Sequence, residues 1–217
     1  MCALRKRGIN MTLKEKHAVF TIGRQYGSGG RQIGKKLAEM HDIPFLDKEL
    51  LELAAKESGL KKEVFENIDE QPRNFLSNEF ILSPFAAISS IPINDTIFTM
   101  QADTITKLAQ KGSCVFVGRC AGYILKDFEN TIDAFIHSTH DDKLKRIVNE
   151  YGLSEDKAVE MMRKVDKKRQ AYHNYYADTK WGMCKNYDIS LNTSITGIDG
   201  AVQLILSIAE MKFNNIK

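Results

Sequence analysis

At 217 residues, 43% hydrophobic and 27% charged, the chain has a globular balance that excludes wholesale disorder and suits one domain. Its 31 basic and 28 acidic residues leave a net charge of +3, too even for a dedicated nucleic-acid surface. No apolar run approaches the ~18 residues of a membrane span, so neither nucleic acid nor membrane is an expected partner.

Residues 1–16 read as a flexible basic arm, with Arg5-Lys6-Arg7 a solvated terminus and Met11 an alternative start. No apolar h-region follows those charges, and the four cysteines (2, 114, 120 and 184) form no CxxC pair. Reduced thiols in a cytoplasm are the expectation. Ala18 to Ile22 predicts a buried strand, Gly30 to Met40 a helix with Ile33 and Leu37 on one face, and Ile43 to Leu46 a short second strand ending at Asp47. A helix is predicted from Lys48 to Glu57 and a short one from Lys61 to Ile68. Pro72, Pro84 and Pro92 then punctuate an irregular insertion bearing Phe75, Phe80 and Phe85.

Asp95 to Lys111 predicts a helix closed by Gly112, and Cys114 to Val117 a continuous apolar strand. Ile132 to Ile136 predicts the next strand, and Asp141 to Tyr151 a helix. Ser154 is the expected N-cap of a long helix whose far end carries Arg163, Lys164, Lys167, Lys168 and Arg169. An aromatic stretch (Tyr172, His173, Tyr175, Tyr176, Trp181) follows. Tyr187 to Leu191 predicts the last strand and Gly197 to Phe213 the closing helix. Alternating strands and helices of these lengths favour an α/β fold on a parallel sheet.

Gly23 to Gln32 is a glycine-rich turn between a strand and a helix. A helix N-terminus presents unpaired N–H groups and partial positive charge, and so holds phosphate. Two phosphate-binding patterns compete. A dinucleotide fingerprint fits Gly27-Ser28-Gly29, with Asp47 about 20 residues on as a ribose-binding acid, but Gln32 stands at its third glycine. A P-loop fits the framing from Gly23 to Gly29 or Gly30, without its lysine. A purely structural tight turn is a third reading. The second half breaks the tie. Gly118-Arg119-Cys120 ends another strand, where open α/β sheets bind ligands, and the basic helix adds Lys168 and Arg169. Several positive charges suit phosphoryl transfer, whose transition state spreads charge over the phosphoryl oxygens.

Four segments carry a resemblance: Arg24 to Arg31, Phe45-Leu46-Asp47-Lys48-Glu49-Leu50, Gly118-Arg119-Cys120-Ala121-Gly122, and Tyr187-Asp188-Ile189 with Gly197-Ile198-Asp199. In order and spacing they are similar to the cytidylate kinase-like family of P-loop nucleoside monophosphate kinases, over about residues 17–212. The resemblance implies a three-layer P-loop nucleoside-triphosphate-hydrolase fold with a parallel five-stranded sheet. It implies a helical acceptor-binding insertion at about 60–110 and a basic lid at about 154–183. ATP and Mg²⁺ are the implied cofactors, and a small acceptor, a nucleoside monophosphate, the implied partner.

By the same resemblance Gly27, Ser28, Gly29, Gly30, Arg31 and Gln32 cradle the donor phosphates. Asp47 lies near the metal and acceptor, and Arg119 holds the acceptor monophosphate. Asp166 and Arg169 form the Asp-x-x-Arg of the lid, with Lys168 beside them, and Thr193 to Thr196 flank the adenine. This chain departs from true cytidylate kinases in placing Gly30 where the lysine stands, Cys120 where an acid follows the strand-end arginine, and Lys48-Glu49 after Asp47. Arg31 is the expected replacement for the lysine's charge, with Arg24 or Lys48 sharing the role. No dedicated metal cluster is expected, because Mg²⁺ is held sparsely, with Ser28, Gln32 or Asp47 in reach.

Plainer readings stand beside these. Asp47 also suits an N-cap. Cys120 reads as a small buried hydrophobe, since no histidine lies at a telling offset. Arg163 and Lys167 repel at i, i+4, a cost that points to an anionic partner or to acids elsewhere in the fold. The aromatic stretch reads as packing before base-stacking. His137, His140 and His173 show no ligand spacing, and Asn192-Thr193-Ser194 is a sequon without meaning in a cytoplasm.

Overall fold

The computed structural model describes residues 17–47 and 93–215. The expected N-terminal arm, the helices from Lys48 and Lys61, and the phenylalanines at 75, 80 and 85 lie outside the described residues.

Five strands form one parallel sheet in the order β2-β3-β1-β4-β5. They are β1 (Val19–Arg24), β2 (Phe45–Leu46), β3 (Cys114–Val117), β4 (Thr131–His137) and β5 (Ile189–Asn192). The central strand β1 pairs with β3 and with β4, Thr21 lying opposite both Phe116 and Asp133. Strands buried on both faces need side chains that are apolar in both directions, which is why β3 reads as an unbroken apolar run and β1 as one interrupted by Thr21 before it reaches Gly23 and Arg24.

Two helical layers cover the sheet. On one face lie α1 (Gly30–His41) and α6 (Thr193–Asn215), whose Ile33, Leu37, Val202 and Ile205 pack on Phe20, Ile22, Val115 and Ile136. On the other lie α2 (Ile93–Lys111) and the short α3 (Ala121–Ile124), whose Ile105, Ala109 and Ala121 meet Val19, Leu46 and Phe116. Helix α6 is long and apolar enough to cross a membrane by composition. Its Ala201, Val202, Ile205 and Ala209 are nevertheless seated in the core. Beyond β4 come α4 (His140–Tyr151) and α5 (Glu155–Tyr176), joined by Ile147, Ala158 and Met162. Chain order reverses across β1, so a crevice opens at the carboxyl ends of β1 and β3.

Several boundaries move from the sequence reading. Strand β1 runs on through Gly23 and Arg24, because β4 offers Phe135 and Ile136 as partners. Helix α5 continues through Tyr172, His173, Tyr175 and Tyr176, since no glycine or proline interrupts it before Ala177 turns extended. Ser154 occupies its N-cap without a side-chain bond, whereas Thr139 caps α4 by accepting from the Asp142 N–H. Strand β5 starts at Ile189 and not at Tyr187, which instead follows a 3₁₀ turn (Cys184–Asn186). Helix α6 begins at Thr193 and breaks at Gly197, whose φ of 62° is left-handed.

Candidate active site

The glycine-rich turn bridges β1 and α1. Gly27 and Gly29 have φ of 74° and 82°, values that a side chain would strain. Gly29 is the N-cap of α1, and the first helical bond runs from the Ile33 N–H to its carbonyl. The N–H groups of Gly30, Arg31 and Gln32 therefore have no helical carbonyl to bond, the ordinary condition of a first turn. Such an end is suited to an anion by its free donors and partial positive charge.

Neighbouring elements hold the turn by its other polar groups. Arg146 Nη1 donates to the Gly27 carbonyl at 2.6 Å, Thr193 Oγ1 to the Ser28 carbonyl at 2.8 Å, and Arg169 Nη1 to the Arg24 carbonyl at 3.2 Å. The Tyr26 N–H donates to Asp166 Oδ1 at 2.6 Å, and Lys143 Nζ to Gln25 Oε1 at 3.1 Å. Carbonyls tied back in this way leave the concave side of the turn to N–H groups. Burial raises the Asp166 carboxyl despite the Tyr26 bond and the Lys143 and Arg169 charges that oppose it. Lys143 and Arg146 escaped the sequence reading. Their signal was a basic i, i+3 pair on the helix after β4.

Within the turn, the predicted residues divide. Ser28 is fully buried, and its hydroxyl donates to the Gln25 carbonyl at 2.8 Å, closing the turn rather than facing a metal. Gln32 reaches outward to Glu150 at 2.6 Å. Arg31 does not turn back over the loop: its Nε donates to Asp47 Oδ2 at 2.6 Å, and its guanidinium lies over the Phe45 ring. Asp47 is buried with 6% exposure while Arg31 is half-exposed, so the arginine neutralises a carboxylate at the end of β2.

A cleft at the strand ends is lined by Arg24, Arg119 and Arg169. These come from β1, from the turn after β3, and from α5. Gly118, Arg119 and Cys120 are three consecutive left-handed residues, with φ of 81°, 60° and 56°. The two without glycine's freedom each cost on the order of 1–3 kcal/mol, and such strain gathers at functional sites. It turns Arg119 inward, to 5% exposure. Burial pulls its guanidinium down to about 10, Tyr172 and Asp47 oppose this, and Arg24 and Arg169 add to it by like-charge repulsion. Lys168 lies half-buried beside Arg169, whereas Arg163, Lys164 and Lys167 face solvent, so the repelling pair at 163 and 167 is a solvated face.

Beneath the arginines lie Cys120, Asp133, His173, Trp181 and Tyr187. The fold brings His173 Nδ1 to 3.9 Å from Cys120 Sγ, and His173 Nε2 lies 3.0 Å from Thr179 Oγ1. No sequence offset announced this, because residues 120 and 173 meet only once α5 crosses the end of β3. Burial lowers the His173 pKa, which favours a neutral ring. Asp133 was also missed, as a lone acid inside an apolar strand. Burial pushes its carboxyl up to about 7, with Asp188 adding and the Thr21 hydroxyl opposing. The aromatics mostly pack. Tyr176 stacks on Phe98 with ring centroids 4.0 Å apart, and Trp181 stands edge-on to Phe135. Thr193 to Thr196, expected on the adenine side, begin α6 against the glycine-rich turn, with Ser194 bonded to Ser138 and Thr139 and Ile195 exposed.

Asp47, the carboxylate expected near Mg²⁺, is paired with Arg31. That pairing also occupies the acid which the dinucleotide reading needs at a ribose.

The structure is similar to that of an uncharacterised protein from Eubacterium ventriosum ATCC 27560, at 34% identity and a TM-score of 0.67, covering 89% of this chain and 98% of that one. A shikimate kinase from Bacteroides thetaiotaomicron shares the fold at 15% identity and a TM-score of 0.50, covering 89% and 98%. No curated protein matches the chain. Residues 19–195 match the model of the cytidylate kinase-like family. With its parallel five-stranded sheet and the glycine-rich turn between β1 and α1, this chain belongs to the cytidylate kinase-like family of P-loop proteins.

Proposed function

We propose that this protein is an ATP-dependent kinase that phosphorylates a small phosphate-bearing acceptor, a nucleoside monophosphate. The observation that carries the reading is the convergence of Arg24, Arg119 and Arg169 on one cleft beside a helix N-terminus. Three guanidiniums held together repel one another, and a polyanion relieves that repulsion. One pyrophosphate cradle would not need them. Two phosphate groups meeting head-on would.

In this reading the first turn of α1 binds the donor phosphates through backbone N–H groups. Arg119, held inward by its left-handed backbone, orients the acceptor phosphate with its planar fork. Arg169, tied to the Arg24 carbonyl, brings positive charge from α5 over the transfer, with Lys168 beside it. An acceptor phosphate oxygen attacks the γ-phosphorus in line, the bond to the β–γ bridging oxygen breaks, and ADP leaves. No covalent enzyme intermediate forms, because positioning and charge supply the catalysis. Mg²⁺ would neutralise phosphate charge, and Asp47 is the residue of this chain that would help to hold it, beside phosphates and water.

The glycine at position 30 supports a second reading, a nucleotide-binding protein that does not transfer phosphate. Phosphorus NMR of the protein with ATP, Mg²⁺ and mixed nucleoside monophosphates separates the two. ADP appearing together with a new nucleoside diphosphate is the expected result. Unchanged ATP with broadened lines would favour the silent binder, and unchanged sharp lines would remove both.

A further inference from the structure

Position 30 is where a P-loop carries its lysine, and it is glycine for a reason visible in the fold. A Cβ built there would stand 2.5 Å from Arg24 Cβ and 3.2 Å from Arg24 Cγ, with Ile136 Cβ at 3.3 Å. The obstacle is the root of the arginine, fixed to β1, and not its mobile end. A lysine at 30 and a side chain at 24 therefore compete for one space. Arg24 fills it, and its stem starts alongside the first turn of α1. Arg24 lines the same cleft as Arg119 and Arg169, and its charge acts on Arg119 there. The Arg169 bond to the Arg24 carbonyl fixes the backbone from which it projects. Arg31, the other replacement, is spent on Asp47.

We propose that Arg24 supplies the cation that other P-loops take from the lysine after the last framing glycine: the charge has moved from the helix to the last residue of the strand before the loop. The inference rests on the kinase reading and names a residue within it. It explains together why Gly30 lacks a side chain and why β1 runs two residues past its apolar core. A guanidinium there contacts β- and γ-phosphate oxygens as a planar fork, where an ammonium acts as a point charge.

The test is isothermal titration of MgATP, MgADP and AMP into the full chain and its variants. Arg24→Met keeps the stem that packs on Gly30 and removes the charge. It should weaken MgATP and MgADP by roughly 10- to 100-fold and leave AMP within about threefold. Arg24→Lys should retain most of the affinity. Gly30→Lys alone should bind poorly, because its Cβ meets Arg24. The pair Arg24→Gly with Gly30→Lys relocates the charge and should recover MgADP binding. Arg24→Met binding MgADP as tightly as the parent would overturn the proposal, as would a loss confined to AMP, which would assign Arg24 to the acceptor. Should the parent chain bind neither MgATP nor MgADP, the kinase reading itself fails.

Discussion

Asp133→Asn should stabilise this protein above neutral pH and change it little in acid. The carboxyl sits in β4 beneath Gly122, so close that a Cβ on Gly122 would lie 2.2 Å from Asp133 Oδ2. The Thr21 hydroxyl donates to Oδ1 at 2.6 Å, and Asp188 lies against the same residue's N–H. Raising an aspartate from 3.8 to about 7 is equivalent to about 4 kcal/mol against the ionised form. Between those two pH values the native state holds a proton that the unfolded chain has released. Stability therefore falls as pH rises through that window, and the penalty is complete above about 7. Asparagine keeps the acceptor for Thr21 and cannot ionise. Urea unfolding of both proteins from pH 4 to 8 isolates the effect, because other titrating groups cancel in the difference. The asparagine variant should gain on the order of 4 kcal/mol relative to the parent across that range, spread over about pH 4 to 7. A difference that stays constant with pH would refute the reasoning.

Other expectations follow from the cleft and its supports. Arg119→Met should raise the acceptor KM by about 100-fold while leaving MgADP affinity within a few-fold, as read by steady-state kinetics beside titration. Arg31→Ala should leave MgADP affinity within about twofold, because Arg31 is committed to Asp47. A loss of about tenfold or more would return Arg31 to the lysine's role. Gly122→Ala should destabilise by about 1–3 kcal/mol in thermal or urea unfolding, and pairing it with Asp133→Ala should recover much of the loss, since the clash is with that carboxyl. Asp166→Ala frees the Tyr26 N–H and leaves α5 tied to the turn through Arg169 and the Arg24 carbonyl; faster amide exchange at residues 25–29 in hydrogen-exchange measurements is the expected sign.

The sequence by itself determined the alternation of strands and helices, the parallel sheet, and the places of the glycine-rich turn and the strand-end arginine. These are local matters. Apolar runs such as Cys114 to Val117 mark strands buried on both faces, and Gly27 and Gly29 mark a turn that needs left-handed backbone. The four segments that resemble the cytidylate kinase-like family were legible for the same reason, since each is contiguous and their order is part of the pattern. Tertiary structure alone decided which side chains meet. The direction of Arg31 was open until β2 set Asp47 within 2.6 Å of it. The Cys120–His173 contact and the grip of Arg146 on the Gly27 carbonyl each join residues far apart in the chain. Spacing along the sequence carries no trace of them. Whether Gly30 is a loss or an exchange was likewise invisible. It depends on the distance between two backbones, β1 and α1, which only their packing sets. That packing puts Arg24 in the space a lysine would have taken.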